Sequence, residues 1–365
     1  MPNHPSGLGG FAALAATVTA AFGLQSADLS GVQIFPADNY WHWDISNFPV
    51  HPNSANLVAS VGNGTSLHPD FGSVLEGVPF GIPYILVDEN QPKIPIHFTL
   101  YGDESDAGPY PIPLNAPIEG GNPNAGDRHV LAVDKDAKML YELYVAQPQS
   151  ASWNAGCGAK FDLTSNDLRP EGWTSADAAG LPILPGLVRY DEIARGVIDH
   201  AIRLTVSVSR KSYVWPARHQ AGSTTSMNAP PMGQRYRLKA TFDTAGYSRA
   251  AKVVLVALKK YGMILADNGS NWYISGAPDD RMPDEEINGL KKVKGSDFEA
   301  VQSLDDQGNP LMPGSGILPR LTNRHPRRDG SLTLQTLNGR RIFSPRGMAA
   351  QWVIGDGSPK PFLRP

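Results

Sequence analysis

Two glutamates and one histidine are the strongest candidates for proton transfer. Glu142 lies between Leu140 and Tyr144 on one side of a predicted strand, so its carboxyl group is expected among apolar neighbours. A carboxyl group that is partly removed from water has a raised pKa and can exchange protons near neutral pH. Glu192 and His200 are joined by a short helix-then-strand connection, and a histidine beside a carboxylate can act as a general base. The sequence therefore predicts Glu142, Glu192 and His200 as catalytic residues.

Aromatic, basic and acidic side chains in the same part of the chain are candidates for substrate binding. Aromatic rings stack on the faces of sugars, and glycosidases place two carboxylates across a cleft that such rings line. A tyrosine such as Tyr190 or Tyr213 could return a proton, which a polysaccharide lyase needs. The predicted substrate-binding residues are Trp153, Tyr144, Tyr190, Trp215, Arg218, His219, Asp127 and His129.

Each candidate also has a structural interpretation. A buried glutamate can pair with an arginine inside the core, and a buried histidine is often a hydrogen-bonded core residue. His68 and Asp70 lie in a loop rich in turn formers, and Asp267 adjoins the turn dipeptide Asn268-Gly269. Such side chains can bind a ligand, but they also commonly bond their own backbone. An enzyme, a glycan-binding module and a structural protein therefore stay open as alternatives.

Several chemistries lack their short signatures in this sequence. It contains no HExxH, no Walker loop, no dinucleotide fingerprint and no GxSxG elbow. Cys157 is the only cysteine, so the chain can form no internal disulfide and no cysteine-based zinc site. The net charge of −3 gives no general attraction for phosphate backbones. We therefore expect no nucleic-acid partner, no metal and no cofactor.

The distribution of turn formers and apolar residues predicts a mainly β fold. The chain has 37 glycines, 32 prolines and 18% charged residues, which favours short strands over long helices. Residues 127–134 and 138–146 are predicted to form a hairpin, and residues 197–208 alternate as a further strand. One helix is predicted between an N-cap at Ser248 and a stop at Gly262. We predict an antiparallel sandwich or jelly-roll-like domain with one packed helix.

The two ends of the chain differ from its middle. Residues 11–24 (FAALAATVTAAFGL) are apolar but too short to span a bilayer, so residues 1–27 resemble a secretion signal peptide. Arginines predominate after Met312, and residues 305–365 are predicted to be a basic, flexible tail. We expect a single β-rich domain over residues 28–304, an extracellular or periplasmic location, and no transmembrane segment.

The middle half of the chain resembles a family of exported, β-rich bacterial proteins that has no assigned activity. The resemblance implies export and a shared scaffold, and it implies no reaction. The uncharged start and the basic end of this chain depart from the family's pattern. The segments that carry the resemblance are residues 126–130 (GDRHV), 140–143 (LYEL), 173–187 (WTSADAAGLPILPGL) and 188–204 (VRYDEIARGVIDHAIRL), with weaker similarity at 213–219 and 259–276.

Together these features predict a secreted carbohydrate-active enzyme, either a hydrolase or a lyase. Its expected partner is a polysaccharide or another extracellular polymer. In the alternative, the same aromatic residues hold a glycan without breaking a bond, or the protein is an envelope-associated structural protein. The sequence leaves the substrate and the oligomeric state open.

Overall fold

The computed structural model describes residues 24–75, 78–120 and 126–314. Most of the predicted signal-like segment, up to residue 23, and the predicted basic tail from residue 315 onward lie outside the described residues. The fold is mainly β, with 24% strand and 17% helix arranged around several sheets. This confirms the predicted class.

Short strands dominate the described part of the chain. The α-helices there are α1 (Ser54–Val61), α2 (Tyr190–Arg195), α3 (Arg249–Lys260) and α4 (Asp284–Asn288). The strands are β1 (His68–Asp70), β2 (Val74–Leu75), β3 (Val78–Pro79), β4 (Tyr84–Val87), β5 (Ile96–Phe98), β6 (Val130–Asp134), β7 (Met139–Tyr144), β8 (Gln147–Pro148), β9 (Trp153–Ala155), β10 (Cys157–Asp162), β11 (Ile202–Val206), β12 (Arg235–Leu238), β13 (Met263–Asn268), β14 (Tyr273–Ser275) and β15 (Phe298–Val301).

The largest sheet has six strands in the order β1, β14, β11, β13, β12 and β15. It is a mixed sheet, because β1 runs parallel to β14 and β11 runs parallel to β13. The pairs β4 with β6 and β5 with β9 are parallel too. The prediction of purely antiparallel sheets is therefore wrong. Parallel neighbours need a long crossover, and the chain between β11 and β13 supplies one through β12 and α3.

A four-stranded sheet separates two apolar cores. Its strand order is β10, β7, β6, β4, and the antiparallel pair of β6 and β7 confirms the predicted hairpin. Successive side chains of a strand point to opposite faces. Leu131 and Val133 accordingly pack in the core shared with the six-stranded sheet, whereas Val130 and Ala132 pack in a second core with Trp153 of β9. One face of this sheet therefore looks toward the six-stranded sheet.

Helix α3 confirms the predicted helix almost residue for residue. Ser248 is its N-cap, and Ala250, Val254 and Leu258 are buried on one stripe. Gly262 follows the helix with φ +69°, a left-handed conformation that side chains rarely adopt. A Cβ atom there would also lie 2.3 Å from the carbonyl oxygen of Tyr236. The chain can therefore pass from α3 into β13 only through a glycine.

Replacing Gly262 by alanine is expected to lower the free energy of unfolding by about 1–3 kcal/mol, because the left-handed backbone and the contact with Tyr236 both oppose a side chain. Urea unfolding of the two proteins measures the change. Gly246→Ala is the matched control, since no atom lies within 4 Å of a Cβ atom at that position. Equal unfolding midpoints for both variants would contradict the prediction.

The segment that leads into the fold is attached to it by hydrogen bonds. The Tyr84 hydroxyl donates to the Ala27 carbonyl, and the Asp280 amide donates to the Leu24 carbonyl. These contacts include residues that the sequence assigned to the signal-like segment. In the described part of the chain, none of the helices has both the length and the apolar character needed to cross a membrane.

Candidate functional site

Polar side chains form a row across one face of the six-stranded sheet. Asp70 at the end of β1 pairs in register with Ser275 at the end of β14. Arg203 of β11 lies beside Ser275, and its Nη1 donates to the Ser275 hydroxyl at 2.8 Å. A charged residue inside a buried strand is costly unless it is paired. The polar side chains of this row therefore serve as partners for the buried charge of Arg203.

A β-bulge brings Asp267 onto the same face. Leu204 pairs with Leu265 but Thr205 pairs with Asp267, so Ala266 is the additional residue in β13. In an unbroken strand, Asp267 would project from the opposite face to Ile264, the partner of Arg203. Because a bulge inserts one residue, the alternation is reset and a side chain is re-aimed. The carboxyl group of Asp267 consequently reaches the guanidinium of Arg203.

Arg203 and Asp177 form a buried, two-pronged ion pair. The Nε and Nη2 atoms of Arg203 donate to the two carboxylate oxygens of Asp177 at 2.9 and 2.8 Å. Both side chains are buried, and the Asp177 side chain has no exposed surface. Nη2 also donates to Asp267 Oδ2 at 3.2 Å. The single guanidinium thus faces two carboxyl groups and one hydroxyl.

The surroundings of Asp267 favour the protonated form of its carboxyl group. Burial raises its pKa well above the ordinary value, and the nearby charges of Asp177 and Asp127 raise it further, against the opposing effect of Arg203. Its Oδ1 accepts a hydrogen bond from the Asn268 amide at 2.7 Å. The side chain is 12% exposed, so Asp267 is not completely enclosed by the protein. Asp267 therefore has a raised pKa at a position that is not completely enclosed.

His129 and Glu119 form a second ion pair in the same region. His129 Nδ1 lies 2.5 Å from Glu119 Oε2, and Nε2 lies 3.0 Å from the Ala176 carbonyl oxygen. Burial favours the neutral ring, but attraction to Glu119 outweighs it and raises the pKa of His129 to about 9. The ring is therefore an imidazolium at neutral pH. It contacts the residue that directly precedes Asp177.

Further polar groups lie around these two ion pairs. Asp127 is exposed, and Asp70 and Tyr144 are half-buried. The rings of Tyr144 and His129 are tilted against each other with centroids 5.7 Å apart. We call the whole set the Arg203 cluster. Its members are Asp70, Glu119, Asp127, His129, Tyr144, Asp177, Arg203, Asp267 and Ser275.

Glu142 lies behind the cluster and is completely buried. Its oxygens accept hydrogen bonds from the amides of Ile183 and Leu184 at 2.9 to 3.0 Å, which caps a short 3-10 turn at Leu184–Gly186. Burial raises the pKa of Glu142 to about 7, against the lowering effect of the two amides. The sequence predicted a desolvated carboxyl group here, and its partners are backbone groups.

Glu192 and His200 contact each other, as part of a closed network. His200 Nε2 lies 2.9 Å from Glu192 Oε1, and the guanidinium of Arg189 donates to the same oxygen at 2.5 Å. The other His200 nitrogen bonds the Ala201 carbonyl, and all three side chains are buried. His200 precedes β11, which begins at Ile202 rather than at residue 197. Glu142 and Glu192 bond to different partners, and neither side chain is exposed to solvent.

The predicted substrate-binding residues are divided between several places. Asp127, His129 and Tyr144 lie in the Arg203 cluster. His219 lies close to it, because its Nδ1 bonds the carbonyl of Ala178, the residue after Asp177. The rest lie elsewhere: Trp153 is fully buried, Trp215 stacks on Trp43 at 4.8 Å, Tyr190 lies under Arg281 at 4.2 Å, and Arg218 pairs with Glu171 at 2.6 Å.

Sequence reasoning missed Glu119, Asp177 and Arg203, and it left Asp70 and Asp267 open between ligand-binding residues and turn formers. One signal for Arg203 was present, since it interrupts an apolar strand between Ile202 and Leu204. A charged residue in such a position is almost never buried without a partner. The identity of that partner depends on contacts between distant segments.

Comparisons with known proteins leave this site to be interpreted from its own geometry. No protein-family model matches the chain, and neither a curated protein nor a solved structure matches it. Within residues 24–75, 78–120 and 126–314, no three His, Cys, Asp or Glu side chains are grouped so that they could hold a metal ion. The resemblance to an exported bacterial family stays a prediction.

Proposed function

We propose that this protein is a secreted polysaccharide hydrolase whose proton donor is Asp267. The observation that carries the proposal is the contrast between two neighbouring aspartates on one guanidinium. Asp177 is held by two short hydrogen bonds from Arg203, whereas Asp267 receives one longer bond and has a raised pKa. Enzymes obtain an acid and an anion from two carboxyl groups by giving them unequal surroundings. Asp267 is suited to protonate a leaving oxygen.

Asp127 is the proposed second carboxylate of the reaction. It is exposed, and its charge contributes to the raised pKa of Asp267. The backbone of Asp127 is held by a hydrogen bond from the Val145 amide at 2.8 Å, which ties it to the end of β7. Glycoside hydrolysis needs one protonated and one ionised carboxyl group on opposite sides of the scissile bond. In this role Asp127 activates water or attacks the sugar directly.

The charges of the cluster favour a hydrolase over a lyase. Polysaccharide lyases act on polyuronates, whose carboxylates need a cation in the site. The guanidinium of Arg203 already bonds Asp177, Asp267 and Ser275. Asp127 is exposed and Asp70 is half-buried, and their negative charges would repel a uronate. We therefore propose a neutral polysaccharide as the substrate.

Burial supports structural roles for the three residues that the sequence put forward as catalytic. Glu142 caps a turn, and Glu192 and His200 close a network with Arg189. Buried carboxylates that are fully hydrogen bonded stabilise the surrounding fold rather than reach a substrate. In this proposal they support the site, and Asp267 and Asp127 carry out the chemistry.

The proposed arrangement of the sheets is a sandwich. The four-stranded sheet and the six-stranded sheet contribute side chains to the same large core. The Arg203 cluster contains residues of both sheets, so the site would lie at the edge of such a sandwich. Sheets packed in this way commonly present binding residues where their strands end.

The test is product analysis on a panel of soluble glucans, xylans, mannans, chitin oligosaccharides and polyuronates. We expect new reducing ends from at least one neutral polymer. Replacing Asp267 by asparagine removes the proton donor and is expected to lower kcat by about 10²–10⁴-fold. Asp243→Asn, an exposed aspartate that bonds only the Ala245 amide among the described contacts, is the control and should keep full activity.

Three outcomes would overturn parts of this proposal. Full activity of Asp267→Asn would remove Asp267 as the acid. Unsaturated products from a polyuronate would identify a lyase. Retention of a polymer without any new chain ends would favour the glycan-binding module, which uses the half-buried ring of Tyr144 without catalysis.

A further inference from the structure

A continuous set of contacts joins His129 to the proposed proton donor. His129 Nε2 bonds the carbonyl of Ala176, and Ala176 is bonded covalently to Asp177. Asp177 holds the guanidinium of Arg203 in a two-pronged pair, and Arg203 Nη2 contacts Asp267 at 3.2 Å. The position of the Asp177 segment therefore determines where the guanidinium stands against Asp267.

Only the doubly protonated ring of His129 can make both of its hydrogen bonds. The Glu119 carboxylate and the Ala176 carbonyl accept hydrogen bonds, so each ring nitrogen must donate a proton. A neutral imidazole has one N–H group. Whichever nitrogen loses its proton then turns a lone pair toward an oxygen lone pair. Deprotonation therefore replaces an attraction by a repulsion at Glu119 or at Ala176.

The charged groups that face His129 come from several segments. Glu119 and Asp127 favour the imidazolium, and Arg203 opposes it. The Tyr144 ring packs against the imidazole with centroids 5.7 Å apart. Glu119 also accepts a hydrogen bond from the His129 backbone amide at 3.3 Å. The His129 side chain is only 1% exposed. Water therefore cannot easily replace a hydrogen bond that the ring loses.

We propose that protonated His129 is the positioning residue of the site: it holds the Asp177 segment, and through it the Arg203 guanidinium, against Asp267. Loss of the His129 proton releases this segment and lowers kcat at alkaline pH, in addition to the fall that deprotonation of Asp267 itself causes. The part of the inference that concerns activity rests on the proposed function. The coupling between the protonation of His129 and the position of Asp177 is independent of the proposed function.

The first test is the pH dependence of hydrolysis by His129→Gln. Glutamine can donate to one acceptor but carries no charge and does not titrate. We expect kcat to fall by about 10–100-fold with KM nearly unchanged, because binding groups stay while the acid is misplaced. The fall of kcat expected near pH 9 in the wild type should disappear, and only the alkaline limb that deprotonation of Asp267 itself causes should stay. His97→Gln, an exposed histidine on β5, should keep both the rate and the fall near pH 9.

The second test uses NMR of the wild-type protein and needs no substrate. The ring signals of His129 are assigned by their loss in His129→Gln and followed with pH, together with the Asp177 amide. We expect the ring to titrate near pH 9 and the Asp177 amide to shift in the same range. A coupled titration in a protein that cleaves no polymer would support the positioning role while removing the proposed function. An Asp177 amide whose signal does not shift with the titration of His129, or a fall of kcat near pH 9 that persists in His129→Gln, would overturn the inference.

Discussion

Asp177→Asn is expected to destabilise the protein by about 3–5 kcal/mol, which is the largest effect we predict for a single substitution. The change keeps the shape of the side chain and removes the charge that faces Arg203. A buried guanidinium that loses its main counterion keeps the cost of leaving water without the attraction that offset it. Asp267 cannot replace Asp177 fully, because it makes one hydrogen bond at 3.2 Å where Asp177 makes two shorter ones.

Urea unfolding at neutral pH measures this loss, with Asp243→Asn as the control that should stay within about 0.5 kcal/mol of the wild type. The double variant Asp177→Asn, Arg203→Met removes both charges and should recover part of the stability, since an apolar side chain needs no counterion. A loss below about 1 kcal/mol in Asp177→Asn would mean that the guanidinium finds other partners. The central ion pair of the cluster would then be dispensable.

The same substitution should change the chemistry of Asp267. Burial is the largest cause of the raised pKa of Asp267, and the negative charge of Asp177 is the second largest. Without that charge, Asp267 becomes the nearest carboxyl group to Arg203 and should ionise at lower pH. A proton donor that has lost its proton at neutral pH cannot act as an acid. Asp177→Asn should therefore be inactive at neutral pH even under conditions where it is folded.

Local patterns in the sequence predicted the elements whose residues are close together in the chain. The hairpin of β6 and β7 follows from alternation on both sides of a short turn, and α3 follows from its cap, its apolar stripe and Gly262. Alternation reports only which side of a strand is buried. It does not report which strands pair. The parallel pairing of β11 with β13 therefore could not be predicted from the sequence.

The candidate site was also predictable only where its residues are close together in the chain. The sequence indicated correctly that Glu192 and His200 are neighbours, because eight residues separate them, but it gave no sign that Arg189 closes their network. Asp267 stayed open between a turn residue and a ligand-binding residue, because a bulge in β13 cannot be seen in the sequence. The bulge is what aims it at Arg203. The function of an ionisable residue depends on its partners, and the partner of Asp267 comes from a segment far away in the chain.

The free energy of unfolding is expected to fall by about 3 kcal/mol between pH 4.5 and pH 7 through Glu142 alone. Its pKa is about 7 in the folded protein, against an ordinary value of 4.5 that applies in the unfolded chain. Between these two values the folded protein holds a proton that the unfolded chain has released. Raising the pH therefore favours the unfolded chain, and the loss is complete once the pH exceeds 7.

Glu142→Gln isolates this contribution from those of other groups. Glutamine keeps a carbonyl oxygen that can accept from the Ile183 and Leu184 amides, and it has no proton to lose. The difference in free energy of unfolding between the variant and the wild type should rise with pH over the same window, because the wild type alone must bury a charge. Glu285→Gln, at an exposed position of α4, should give a constant difference. A constant difference for Glu142→Gln as well would show that the folded protein holds this carboxyl group as an ordinary anion, and the cap on the turn would then be a charged one that the two amides fully compensate.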